Sequence, residues 1–231
     1  MAIKGFQGTS LLDFPGGVAS LLFWGGCNLT CPFCHNPALV LEPGAYPDLD
    51  PEQLLGELAS RQPFIDGVVL SGGEATLDEK LLEFAERLKE LGLRVKLDTN
   101  GLAPDVIGQM LEKGLVDYLA IDLKTSLARY PELHQGRVDT VALLTSVELA
   151  LHSSVQVEFR TTCVPDWIDE AVVTEWGERI RGAALWVFQQ YHAEHALAES
   201  ARSVPCYPAG RIRGLAELAR VYVEEVAVRG L

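Results

Sequence analysis

Residues 18–36, VASLLFWGGCNLTCPFCHN, set an apolar run against a glycine pair and three cysteines. Val18 to Trp24 is shorter than a typical helix and almost wholly apolar, as expected of a strand buried on both faces. Gly25 and Gly26 break the run, and Cys27, Cys31 and Cys34 follow at CxxxCxxC spacing. Three thiolates so placed can face one metal centre. An iron–sulfur cubane commonly takes four cysteines, so a set of three leaves one iron open to a small chelating molecule. Zinc held by the same thiolates, with His35 or a distant cysteine completing the set, is a second reading.

Similar runs recur outward from this stretch: Gly67 to Ser71, Leu93 to Asp98, Val116 to Asp122, Val155 to Arg160 and Ala184 to Gln189. Between them, apolar residues fall at helical spacing over Pro51 to Gln62, Asp78 to Leu91, Pro104 to Lys113, Thr140 to His152 and Trp167 to Arg181, with a last helix from Gly210 to Val228. Pro51 and Pro104 suit first helical turns, and Gly92 and Gly114 suit the residue just past a helix end. Strand and helix alternate six times. That alternation predicts an α/β fold with parallel strands, a partial (β/α)6 TIM-type barrel with its ligand at the C-terminal rim. Residues 1–231 read as one domain, in which 1–17 form an N-terminal extension packing on the barrel.

The chain carries 48% hydrophobic residues and a formal net charge of −13, enough apolar material for a sizeable core and the wrong sign for phosphate backbones or anionic lipid. Nucleic acid and membranes are therefore excluded as first partners. No run approaches the roughly eighteen apolar residues of a membrane span, and the N-terminus lacks a signal-peptide core. Five cysteines are too few, and odd in number, for a disulfide framework, so a cytoplasmic protein with free thiols is expected. Cys163 and Cys206 stand alone and read as structural thiols. His134, His152 and His195 read as surface residues.

Polar motifs mark the ends of successive strands: SGGE at 71–74, DTNG at 98–101, IDLK at 121–124, and Arg160. In a parallel barrel these ends share one face. Charges there are costly to bury unless paired or used, so their recurrence points to a ligand site and favours the cluster over zinc.

GFQGTSLLDFPG, CNLTCPFCHNPALV, SGGEATL, LDTNG, AIDLKT and FRTTCVPDWID, in this order across nearly the whole chain, resemble the glycyl-radical-enzyme activating proteins of the radical S-adenosylmethionine superfamily. The resemblance implies an oxidoreductase with a 4Fe–4S cluster on Cys27, Cys31 and Cys34 that reductively cleaves S-adenosylmethionine. It further implies a glycyl-radical enzyme as partner, anaerobic ribonucleotide reductase ahead of pyruvate formate-lyase, and flavodoxin or ferredoxin as electron donor. Residue by residue, it puts Phe33 near the adenine, the backbone of Gly72 and Gly73 on the methionyl amino group, and the Glu74 carboxylate beside that cation. Asp98 and Asp122 would approach the ribose or a bound monovalent cation, Asn100 would belong to the same cofactor-binding set, and His192 would touch the cofactor. Lys124 and Arg160 would face the methionyl carboxylate or a partner's backbone.

Each of these residues also has a plainer reading. Gly72 and Gly73 suit an ordinary strand-to-helix turn, the aspartates suit helix caps, Lys124 and Arg160 suit salt bridges, and His192 suits a solvated rim. Ala75 and Gly25 depart from the family pattern, which commonly has a proline and often a polar residue there. The motifs do not encode the acceptor of the radical, so a small molecule or a peptide is an alternative substrate. A zinc-stabilised interaction module is the non-enzyme alternative.

Overall fold

The computed structural model describes residues 1–134 and 137–231. Its strands are β1 (Ile3–Ser10), β2 (Ala19–Trp24), β3 (Gly67–Gly72), β4 (Arg94–Thr99), β5 (Tyr118–Asp122), β6 (Gln156–Cys163), β7 (Leu185–Gln190) and β8 (Glu225–Arg229). Its helices are α1 (Pro37–Leu41), α2 (Pro51–Arg61), α3 (Leu81–Glu90), α4 (Pro104–Glu112), α5 (Thr140–Leu151), α6 (Glu170–Arg179), α7 (Glu199–Arg202) and α8 (Ala209–Ala219). The strands form one eight-stranded sheet in sequence order. β1 runs antiparallel to β2 and every later pair is parallel. Among the described residues β1 and β8 do not pair, so the sheet is an open, mostly parallel α/β array of the partial TIM type.

Local chemistry sets most of the boundaries. Asp50 accepts the Glu52 N–H ahead of Pro51, Asp139 accepts those of Val141 and Ala142, and Asp169 accepts that of Val172, so three helices start on carboxylate caps. Gly92 and Gly114 follow α3 and α4 at φ of 75° and 65°, the left-handed turn that ends a helix and that glycine adopts without steric cost.

Two segments differ from the sequence expectation. The helix expected to reach Val228 stops at Ala219, and Glu225–Arg229 pairs in register with β7 instead. Val226 and Val228, two apart, pack on the core while Glu225 and Arg229 take the other face, the spacing of a half-buried strand rather than of a helix. The expected extension over 1–17 contains β1, whose pairing with β2 joins it to the sheet. No helix among the described residues is long and apolar enough to cross a membrane.

The two sheet faces differ in kind. Leu22, Trp24, Leu70, Leu97, Ile121, Phe159, Trp186 and Phe188 point to the helices and join one large apolar cluster. The opposite face holds a separate small cluster of Phe14, Ala19, Leu21, Val69 and Tyr118. Phe14 comes from the β1–β2 connection, is 2% exposed, and meets the Tyr118 ring edge-on at 6.0 Å with the Arg94 guanidinium over it at 4.7 Å. Few apolar neighbours share that face, so Phe14 carries much of its packing. Phe14→Ala is expected to lower stability by about 3 kcal/mol or more through the cavity it leaves. Urea unfolding followed by circular dichroism measures this, and a loss below about 1 kcal/mol would contradict the packing role.

Candidate active site

The end of β2 turns through Gly25 and Gly26, the latter at φ 85°, into the cysteine loop. That loop is tied down from several sides. Gly26 N–H donates to the Leu39 carbonyl at 2.7 Å, Thr30 N–H to that of Leu133 at 2.9 Å, and Ala198 N–H to that of Pro32 at 2.8 Å. Cys31 is buried, and Cys27 and Cys34 are half-buried. Donors point at two of the sulfurs: Leu29 N–H at Cys27 Sγ and Asn36 N–H at Cys34 Sγ, each at 3.4 Å, with Asn100 Nδ2 at 3.7 Å from Cys27 Sγ. Burial pushes the Cys27 thiol up to about 11, with Glu74 adding to it, and the Cys31 thiol up to about 12. Burial raises Cys34 as well, while the Lys124 ammonium pulls all three back. Such thiols are protonated at neutral pH and lose their protons when a metal centre takes the sulfurs. Among the described residues no three His, Cys, Asp or Glu side chains converge on a single ion.

The SGGE segment leans on this loop chiefly through backbone. A Cβ on Gly72, at φ 108°, would lie 2.4 Å from Trp24 N, and one on Gly73 would lie 1.9 Å from the Gly26 carbonyl oxygen. Gly73 N–H donates to Trp24 O at 2.8 Å and Glu74 N–H to Gly26 O at 2.9 Å. Asn36 Nδ2 donates to Gly72 O at 2.9 Å. Glu74 is 1% exposed, and its Oε1 accepts from Thr76 N–H, Thr76 Oγ1 and Thr99 Oγ1 while Oε2 accepts from Asn100 N–H at 2.7 Å. Its carboxylate therefore ties the end of β3 to the end of β4. Asn100 in turn donates to Asn28 Oδ1 at 2.7 Å.

Four charges complete the wall. Arg160 Nη1 meets Asp98 Oδ2 at 2.9 Å, Arg160 Nε meets Asp122 Oδ1 at 2.9 Å, and Lys124 Nζ meets Asp122 Oδ2 at 2.9 Å. Burial alone would raise both carboxyls, but the Arg160 guanidinium, aided by Lys96 at Asp98 and Lys124 at Asp122, holds them below the usual carboxylate range. Arg160 and Lys124 are raised in turn by these anions, against the effect of burial. Both carboxylates are thus balanced by side-chain cations.

All of the sequence-predicted site residues except His192 line one cavity beside the cysteines, with about 190 Å³ accessible within it. Phe33 lines it with its ring edge-on to Trp167 at 5.4 Å, and Arg129 lies over Trp167 at 4.2 Å. His192 stands on the rim, half-exposed, its ring 6.2 Å from that of His35. His35 itself lines the cavity, stacked on Tyr191 at 5.6 Å and 14°, and its pKa is lowered by burial and by His192 and His195. Cys163 is fully buried away from this wall and Cys206 is exposed.

Several residues of the site escaped the sequence reading: Asn28 and Asn36, Thr76 and Thr99, and the buried Lys96 and Glu158. For the last two a signal exists, since Lys96 and Glu158 precede Asp98 and Arg160 by two residues and so share their face of the strand.

A family model described as the radical SAM superfamily matches residues 21–174. A Methanocaldococcus jannaschii protein provisionally assigned to glycyl-radical enzyme activation is 32% identical over 98% of this chain and 95% of its own length. The Escherichia coli pyruvate formate-lyase 1-activating enzyme is 30% identical over 73% of this chain and 70% of its own. Among solved structures, Streptococcus suis SuiB bound to S-adenosylmethionine shares the fold at a TM-score of 0.68 and 15% identity, over 91% of this chain and 52% of that one.

Two outcomes follow from the site geometry. Gly73→Ala forces the Gly26 carbonyl to shift, so the variant is expected to retain helical circular dichroism yet lose most of its iron after anaerobic reconstitution, as metal analysis would show. Asp98 and Asp122 have depressed pKa values, so they stabilise the fold above the unfolded carboxylate range near about pH 4, and this is lost as pH falls further. The urea midpoint should therefore drop on acidification, and Asp122→Asn should flatten that drop.

Proposed function

The chain belongs to the radical SAM superfamily, and on that basis we propose that it is the activase of a glycyl-radical enzyme, with Cys27, Cys31 and Cys34 as its cluster ligands. The observation that carries this reading is a single cavity walled by the three thiols, the bare Gly72–Gly73 backbone and the linked Asp98, Arg160, Asp122 and Lys124 charges. The donor set fits a 4Fe–4S cluster: three sulfurs with N–H groups aimed at two of them, and a polar cavity alongside for a molecule that chelates the remaining iron. Held there by Cys27, Cys31 and Cys34 and reduced, the cluster with S-adenosylmethionine would supply the one-electron chemistry for taking a hydrogen atom from a glycine α-carbon, with methionine and 5'-deoxyadenosine as the products of the cofactor.

The protein's own share is placement, charge and exclusion of water. Gly72 and Gly73 offer backbone with no side chain of its own to the methionyl amino group, Asn36 Nδ2 holds the Gly72 carbonyl from one side, and the buried Glu74 adds negative charge behind them. Arg160 uses Nε and Nη1 on the aspartates, while its Nη2 has no hydrogen bond among the described residues; with Lys124 it suits the methionyl carboxylate. Asp98, Asp122 and Asn100 offer acceptors to the ribose, Phe33 a face to the adenine, and His192 a rim contact. Flavodoxin or ferredoxin would supply the electron.

The sheet leaves β1 and β8 unjoined, which suits a substrate loop entering from the side. Anaerobic ribonucleotide reductase is the partner that the motifs favour, and pyruvate formate-lyase is the one that relatives' names carry, which leaves the two equally supported. Reduced, anaerobically reconstituted protein is expected to convert S-adenosylmethionine to 5'-deoxyadenosine, and Cys31→Ser to lower this by at least about a hundredfold. With the right partner a glycine-centred electron paramagnetic resonance signal should appear, and running both enzymes side by side identifies that partner. 5'-Deoxyadenosine without a glycyl signal from either would favour a small-molecule or peptide substrate. Colourless protein with one zinc and no 5'-deoxyadenosine would overturn the enzyme reading.

A further inference from the structure

Beneath the cavity wall lie two charges that the proposed chemistry does not use. Lys96 is 2% exposed and Glu158 fully buried, both on the sheet face away from the helices and about 7 Å deeper along their strands than Asp98 and Arg160. Lys96 Nζ is ion-paired to Asp98 Oδ1. Glu158 accepts Arg229 Nη1 at 3.2 Å and Nη2 at 2.8 Å on its two oxygens, and the Tyr118 hydroxyl at 2.9 Å. Charges of alternating sign thus run from Arg229 through Glu158, Lys96, Asp98, Arg160 and Asp122 to Lys124. The string begins and ends on a cation, so it carries one net positive charge towards the cavity.

A buried lysine is often no more than the counter-ion of a buried glutamate. Here that role is filled from elsewhere, because Glu158 already holds a two-pronged arginine and a hydroxyl, and Lys96 Nζ stays 3.9 Å away. The close partner of Lys96 is Asp98. One Asp98 oxygen is held by Lys96 and the other by Arg160, so the carboxylate cannot turn, and Arg160 is left to span Asp98 and Asp122 with Nη2 unengaged. Without Lys96, Asp98 could take Arg160 with both oxygens and draw the guanidinium off Asp122.

We propose that Lys96 is a positioning residue for S-adenosylmethionine: it locks Asp98, and through Asp98 it sets the pose in which Arg160 meets the cofactor carboxylate. Glu158, Arg229 and Tyr118 hold Lys96 in place from below. The proposal rests on the functional reading above, in which Arg160 faces that carboxylate.

The test compares full-length, anaerobically reconstituted wild type, Lys96→Met and Lys96→Arg by 5'-deoxyadenosine formation against S-adenosylmethionine concentration, with iron content as the loading control. Lys96→Met is expected to load iron normally, to raise KM by about tenfold or more, and to change kcat per loaded site by less than about threefold. Lys96→Arg should restore most of the KM. Should Lys96→Met fold poorly, Lys96→Met combined with Glu158→Gln also removes the buried anion that Lys96 Nζ faces at 3.9 Å and is expected to keep the raised KM. A wild-type KM in Lys96→Met or in the double variant, with loss only of thermal stability or of active fraction, would show a merely structural lysine and overturn the proposal. If wild type neither loads a cluster nor forms 5'-deoxyadenosine, the functional reading itself fails and this proposal with it.

Discussion

A methyl group on residue 73 would sit 1.9 Å from the Gly26 carbonyl oxygen. That clearance sets the site, because it lets the end of β3 lie directly on the end of β2, backbone to backbone. Trp24 O and Gly26 O accept the Gly73 and Glu74 N–H groups only at this approach. Asn36 closes the contact from the cysteine loop and Glu74 extends it to Thr99 and Asn100 on the next strand. The glycine pair that the resemblance assigns to cofactor contact is therefore already required by the protein's own packing. The cofactor would use a surface that the fold has to leave bare.

The sheet separates stability from chemistry by face. On the helix side, large side chains such as Trp24, Trp176 and Trp186 are buried to 1% exposure or less. On the other side, Phe14 and its few neighbours form one apolar layer, and above it the interior is ionic. Ion pairs in such a setting contribute little net stability, since desolvation offsets most of their attraction, but each charge makes the loss of its neighbour costly. What such a string supplies is definition: every carboxylate oxygen in it has an assigned partner, and of the Arg160 guanidinium only Nη2 is left without one among the described residues.

How far the sequence was legible followed from how local each signal is. The strands buried by helices show as apolar runs, and the helices open on Asp50, Asp139 and Asp169 or close on Gly92 and Gly114 within one turn of the boundary. β8 reads as the end of a helix because its residues follow α8 after a short turn, and only pairing with β7 residues forty positions earlier makes them a strand. β1 depends likewise on pairing with β2. In the site, motif residues were legible because they punctuate strand ends, whereas Lys96 and Glu158 are single charges inside apolar runs. The stacking of His35 on Tyr191 joins residues distant in sequence and leaves no local trace. The saturation of Glu74 by four donors is equally invisible in the motif itself.

Each strand of this sheet lies beside its neighbours in sequence, so the array can grow in the order in which the chain is made. The interior charges do not follow that order. Arg229, which neutralises Glu158 of β6, is on the last strand to be laid down. A growing chain therefore lays down Glu158 well before the arginine that pairs with it, and the ionic interior is complete only when the far edge of the sheet has docked.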